Sequence, residues 1–239
     1  MPSIIASKDS GIVKALQLGR EESVKGERKT TMQAIQARDI NLRYLIDNFG
    51  IQLIREPDFF CEWQRDLSEL TDYDKQLLDK IKEGYFNLLN YPPLLEGVVR
   101  QAITDPLLFI GDFYLAPFYV KSEESIDIEV ADKDIIVKGR IDTLVLCDQL
   151  WVMIIESKKA SFSIESGLAQ ILAYMLGSPT IDKPTFGMIA TGSEFIFIKL
   201  VKGDTNQYAT SKVFSMRNPG NDLYDVLKIF KKLIEIASV

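Results

Sequence analysis

The stretch Gly139–Ala160, GRIDTLVLCDQLWVMIIESKKA, is two apolar runs about a short polar turn, and it carries charges where strand interiors are normally greasy. Residues two apart in a strand share a face. Asp142, Leu144 and Leu146 therefore point one way in the first strand, and Val152, Ile154, Glu156 and Lys158 point one way in the second. A turn centred near Asp148–Gln149 sets Asp142 within about a residue of Glu156. Two carboxylates and one ammonium then meet at one end of a hairpin that is otherwise apolar.

The rest of the chain is read around that hairpin. Residues 31–49 follow helical spacing and stop at Gly50, and residues 51–56 make a short strand. Thr71 caps a helix, with Asp74 as the acidic partner of a capping box, and Pro92–Pro93 end it. A further helix spans 94–103 and includes Glu96. FYLAPFYV is an irregular strand, because Pro117 would spoil a central one. IDIEV alternates strictly and turns at ADKD into the strand that carries Asp142. IESGLAQILAYMLG is a helix ended by Gly177, TFGMIAT and EFIFIKLV are strands, and DLYDVLKIFKKLIEIA is an amphipathic helix. This order predicts an α/β fold, a mixed sheet with antiparallel hairpins flanked by helices. It divides the chain into a mainly helical region, 1–93, for oligomerisation or recognition, and a core, 94–239.

Composition narrows the chemistry. The chain contains no histidine and only two cysteines, Cys61 and Cys147. That removes Ser-His and Cys-His nucleophile pairs, the H-E-x-x-H zinc site and any Cys₄ site within one chain. A bound metal must have oxygen ligands, which points to Mg²⁺, Mn²⁺ or Ca²⁺. No Walker A loop occurs, so the chain is not itself an ATP-driven motor. The net charge of −6 opposes indiscriminate polyanion binding, although residues 1–30 and 181–239 each carry a small basic excess. No apolar run reaches the ~20 residues that cross a bilayer, and the first residues lack the form of a secretory signal. The expected location is cytoplasmic.

Two facing carboxylates repel, and burial raises their pKa values. A hard cation between them relieves both effects, and a lysine two residues along can handle a water beside it. The plainer alternative is a cross-strand Asp142–Lys158 ion pair with Glu156 at a wet strand end.

Gly139-Arg-Ile-Asp142, Ile155-Glu156-Ser-Lys158 and Gln170-Ile-Leu-Ala-Tyr174 match G-x-x-D, E-x-K and Q-x-x-x-Y in order. In this the chain resembles the PD-(D/E)XK nuclease superfamily, above all the nuclease domain of type I restriction enzyme R subunits and RecB-like nucleases, over about residues 94–200. The resemblance implies a restriction-endonuclease-like core and a Mg²⁺-dependent DNA endonuclease, with Mn²⁺ as a substitute, acting in restriction or repair. It implies Asp142 and Glu156 as metal ligands and Lys158 as the residue that handles the attacking water. Glu96 would be an auxiliary acid, and Gln170 and Tyr174 would position the helix, the lysine or the DNA backbone. Each has a plainer reading: Glu96 a surface glutamate, Gln170 a polar helix face, Tyr174 a core aromatic. Arg140 either touches a phosphate or makes a surface ion pair. Gly-Arg-Ile replaces the proline of the superfamily's name motif. The implied partners are DNA, further copies of the chain, and a separate translocase or specificity subunit, with no membrane. The competing functions are a catalytically silent module that binds nucleic acid or a protein, and a small metal enzyme on another phosphate ester.

Overall fold

A computed structural model describes residues 33–129, 135–147, 150–158, 164–179 and 181–237. The ADKD turn, the Asp148–Gln149 turn, Lys159 and the mixed-charge run within residues 1–30 lie outside them.

The central feature is one mixed sheet, with nine strands among the described residues: β1 (Gln33–Gln36), β2 (Gln52–Leu53), β3 (Phe118–Glu129), β4 (Ile135–Cys147), β5 (Leu150–Ser157), β6 (Thr185–Ala190), β7 (Glu194–Val201), β8 (Gln207–Thr210) and β9 (Phe214–Ser215). The main path runs β1-β4-β5-β6-β7-β8-β2, with β3 on β4 and β9 on β7. Pairings β1–β4, β5–β6 and β2–β8 are parallel, and the others are antiparallel. The helices are α1 (Leu42–Phe49), α2 (Asp72–Leu88), α3 (Glu96–Val99), α4 (Asp105–Ile110), α5 (Ile164–Leu176) and α6 (Leu223–Ala237). A π-helical turn, Arg100–Thr104, joins α3 to α4.

Local chemistry sets the element ends. Thr71 Oγ1 accepts from the Asp74 N–H at 3.1 Å, and the Asp74 carboxylate accepts from the Thr71 N–H at 3.1 Å, completing the expected capping box of α2. Asn41 caps α1, and Gly50 ends it at φ 61°, a left-handed conformation suited to glycine. The β6 side chains are all buried, as in a strand covered on both faces.

Two apolar layers sandwich the sheet. Val145, Met153, Ile155, Met188 and Phe197 face α2, α4 and α6, while Leu144, Ile154, Ile189 and Ile198 face α5. Helix α5 lies close on β6: a Cβ at Gly187 would stand 3.0 Å from Ile171 Cδ1 and Met175 Sδ.

Several expectations change. Residues 33–49 are not one helix but β1, a 3₁₀ turn (Ala37–Asp39) and α1. Helical spacing of apolar residues was met by a strand and a helix that both face the core. Residues 33–93, expected to be mainly helical and apart from the core, supply β1 and β2 to the common sheet. The strand expected to begin at Ile126 begins at Phe118, immediately after Pro117, so the proline precedes the ladder and does not interrupt it. Val152 does not share the Ile154 face. The register steps from Val145↔Met153 to Leu146↔Trp151, so Val152 is an extra, bulged residue turned into the opposite layer with Met153. Strands β8 and β9 were not anticipated.

Candidate active site

The site lies where the sheet splits. Along one edge of β4, β5 pairs with residues 143–147 and β1 pairs with residues 135–138, while β3 runs along the other edge. Residues 139–142, the GRID segment, have no strand partner on the first edge. The opening is a cleft of about 360 Å³ lined by Asp142, Glu156, Lys158, Gln170, Tyr174 and Glu96, with Gln36, Arg38 and Lys138 at its rim. All six residues singled out in the sequence therefore meet in one cavity.

A side chain replaces the ladder at the split. Thr143 pairs with Ile155, and one step on, Asp142 Oδ2 accepts from the Ser157 N–H at 2.9 Å. The Lys158 N–H turns to the other neighbour and donates to the Ala190 carbonyl at 2.8 Å. The E-x-K segment is thus pinned from both sides.

Glu156 is 1% exposed. Its Oε1 accepts from Lys158 Nζ at 2.5 Å and from Gln170 Nε2 at 2.7 Å. Gln170 Nε2 also donates to the Tyr174 hydroxyl at 2.8 Å, and that hydroxyl donates to the Arg140 carbonyl at 3.1 Å. Gln170 and Tyr174 are four apart on α5, so they share a face and cross to β4 and β5 together. Tyr174 packs closely against Gly139, where a Cβ would stand 2.4 Å from Tyr174 Cε1. Only a glycine admits the ring there. Tyr174 is at once a core aromatic and part of the polar chain, and Gln170 is buried and bonded, not a wet helix face.

The plain alternative of an Asp142–Lys158 pair with an exposed Glu156 does not hold. Lys158 pairs with Glu156, which is buried. Arg140 makes the surface ion pair, Nη1 to Glu123 Oε2 at 3.6 Å.

Burial, then the nearby Asp142 charge, pushes the Glu156 carboxyl up to about 8, against the pull of Lys158. Burial also raises Asp142, partly offset by the Ser157 N–H and Lys158, and the Glu96 charge adds to the rise. The Tyr174 phenol is pushed up to about 12 by burial and by Glu156, so it stays protonated and able to donate.

Fitness for a cation shows in Glu156 Oε2, a buried oxygen with no hydrogen-bond partner among the described residues. An unpaired carboxylate oxygen facing a second carboxylate is costly alone and favourable beside a divalent ion. Among the described residues no group of three or more His, Cys, Asp or Glu is arranged to hold a metal. The oxygen donors fit a hard ion held by two carboxylates that keeps water in its other positions.

Three cations of the site were missed in the sequence: Arg38, Lys138 and Arg100. Arg38 reaches the rim from the 3₁₀ turn after β1, and no local pattern marks it. Arg100 had a signal: it follows Glu96 by four in a helical segment, so both face the same side of Asp142.

No protein-family profile and no curated protein matches the sequence. Among solved structures, the chain is similar to one in a cryo-EM structure of a DrdV–DNA complex, at 16% identity and a TM-score of 0.44. The match covers 65% of this chain and 14% of that one, so this chain spans a small part of its length. At that score the likeness fixes neither fold family nor activity. The class that the architecture itself defines is a mixed α/β protein with an open sheet and helices on both faces. Among the described residues no helix is long and apolar enough to cross a membrane.

Proposed function

We propose that the chain is a divalent-metal-dependent phosphodiester hydrolase acting on DNA, with a restriction-endonuclease-like core. One observation carries this reading: Asp142, Glu156 and Lys158 converge in an open cleft, and Glu156 keeps a buried, unpartnered oxygen beside a second carboxylate. Asp142 and Glu156 are the residues that would hold Mg²⁺ or Mn²⁺. The ion, when bound, supplies Lewis acidity toward a phosphoryl oxygen and lowers the pKa of a bound water.

The chain's own residues do the rest. Lys158, anchored on Glu156, offers an ammonium to the attacking water and to charge developing on the phosphate. Gln170 holds Glu156 Oε1, and Tyr174 holds Gln170 and the β4 backbone, so both carboxylates are fixed before substrate arrives. Glu96 adds negative charge at the cleft mouth. The attacking oxygen gains a bond to phosphorus as the bond to the leaving oxygen breaks; the water's proton passes to solvent, and the leaving oxygen takes a proton from Lys158 or solvent.

One such centre cuts one strand, so double-strand cleavage needs a second copy or another nuclease. A separate translocase or specificity subunit, and a cytoplasmic setting, belong to the same proposal.

The test is cleavage of supercoiled plasmid with Mg²⁺ or Mn²⁺, comparing the wild type with Lys158→Ala. Nicking by the wild type that falls at least ~100-fold in the variant supports the reading. Equal activity in both removes this site from the chemistry. A wild type that binds DNA without cutting favours the silent binding module.

A further inference from the structure

Two clefts meet at Asp142. Beside the one already described lies a second, of about 230 Å³, lined by Glu96, Arg100, Glu123, Arg140, Asp142 and Ser157. The two share Glu96, Arg140 and Asp142. Both clefts border Asp142; Arg38 and Lys138, paired with Asp39 and Asp127, line the first, and Arg100 lines the second.

Arg100 is the unusual member. It is half-buried, and its Nη1 lies 3.4 Å from Ser122 Oγ. Ser122 Oγ in turn donates to the Asp142 carbonyl at 3.3 Å. Among the described residues no carboxylate lies within ion-pair distance of Arg100, although its charge lowers both Asp142 and Asp105. A half-buried guanidinium with a single weak hydroxyl contact keeps most of its donors for another anion. Its fork matches phosphate better than an ammonium does.

The backbone keeps this end open. The β3–β4 ladder steps from Ser122↔Thr143 to Glu124↔Ile141, passing over Glu123 at the level of Asp142. Glu123 has φ 59°, a left-handed conformation that costs a non-glycine residue about 1 kcal/mol. On the other wall Arg100 opens a π-helical turn, a deformation frequent at functional sites.

We propose that the two clefts are one groove for a phosphodiester strand, in which Arg100 binds a phosphate on one side of the scissile position and Arg38 with Lys138 bind one on the other. This rests on the hydrolase reading, because it places the scissile phosphate at Asp142 and Glu156. It also accounts for a net-acidic chain engaging a polyanion: a few cations line both clefts around the acidic centre.

The test is the salt dependence of DNA affinity, measured by anisotropy of labelled single-stranded and duplex probes. It uses the full chain in a Lys158→Ala background with Mg²⁺, and probe integrity is checked on a gel. Each phosphate contact contributes about 0.7 to 0.9 to the slope of log K against log salt. Arg100→Ala and Arg38→Ala should each lower the slope by that amount and weaken binding roughly tenfold at low salt. Arg100→Lys should keep the slope and recover only part of the affinity, which separates charge from folding. Arg43→Ala, in an exposed pair with Asp47 on α1, should change neither. A slope and affinity unaffected by Arg100→Ala, with wild-type cleavage intact, overturn the groove and leave the hydrolase standing. No binding of either probe by the parent, with no wild-type cleavage, overturns both.

Discussion

On the sheet face covered by α2, α4 and α6, aromatic rings meet edge to face. Phe230 lies 5.5 Å from Phe113 and 5.7 Å from Phe197, and Phe197 lies 6.0 Å from Phe214. On the face covered by α5, equally deep burial holds a chain of hydrogen bonds from Arg140 through Tyr174 and Gln170 to Glu156. The first face is held mainly by ring packing, with the Lys231–Asp74 pair at its margin. The second carries a carboxylate with an unpartnered oxygen, which it can tolerate because the strands beneath are clamped from behind. Stability is concentrated on one face, and chemistry is placed on the other.

Five substitutions separate the two faces. The largest expected effect is on the aromatic side: Phe230→Ala should cost about 3–5 kcal/mol. Thermal unfolding should show a drop of roughly 10 °C or more. Next comes Gly139→Ala, which drives a methyl into Tyr174 and should cost about 1–3 kcal/mol. Its activity should fall further than that of Tyr174→Phe, which loses only the hydroxyl bonds, worth about 1–2 kcal/mol. Plasmid cleavage by the two variants at a temperature where both remain folded checks the order.

Glu156→Gln should have the opposite sign. The folded carboxyl titrates at about 8 and the ordinary one at 4.5, so between these values the folded protein holds a proton that the unfolded chain releases. Metal-free wild type should therefore lose stability as pH rises through that window. In a chelating buffer at pH 7.5 the Gln variant should melt several degrees higher, and saturating Mg²⁺ should raise the wild type but not the variant.

The smallest effect is expected at Asp74, on the aromatic side. Burial alone would raise its carboxyl, but Lys231 and the Thr71 cap lower it below its ordinary 3.8. Its contribution is present above the unfolded value and is lost as pH falls through the folded one. Asp74→Asn should therefore lower the melting temperature at neutral pH, and the difference should shrink as pH falls below the ordinary 3.8.

Much of the site was legible in the sequence because its signals are local. Strand alternation about the expected turn placed Asp142 within about a residue of Glu156, and a four-residue helical spacing placed Gln170 beside Tyr174. The parts that were not legible depend on pairing between distant segments. Strand β1 is four residues long and takes its place only by pairing in parallel with β4, about a hundred positions on, so Arg38 could not be brought to the cleft. The bulge at Val152 left no mark in the sequence, because a valine suits either face. The opening between β1 and β5 along β4 is also non-local, yet it is what turns a charged hairpin into a cleft.

The most direct test of the central claim is Mn²⁺ binding followed by electron paramagnetic resonance, in wild type, Asp142→Asn, Glu156→Gln and Lys158→Ala. The wild type should show a Mn²⁺ site that weakens at least ~10-fold in either carboxylate variant and persists in Lys158→Ala. Mn²⁺ binding of equal strength in wild type and both carboxylate variants would contradict the claim.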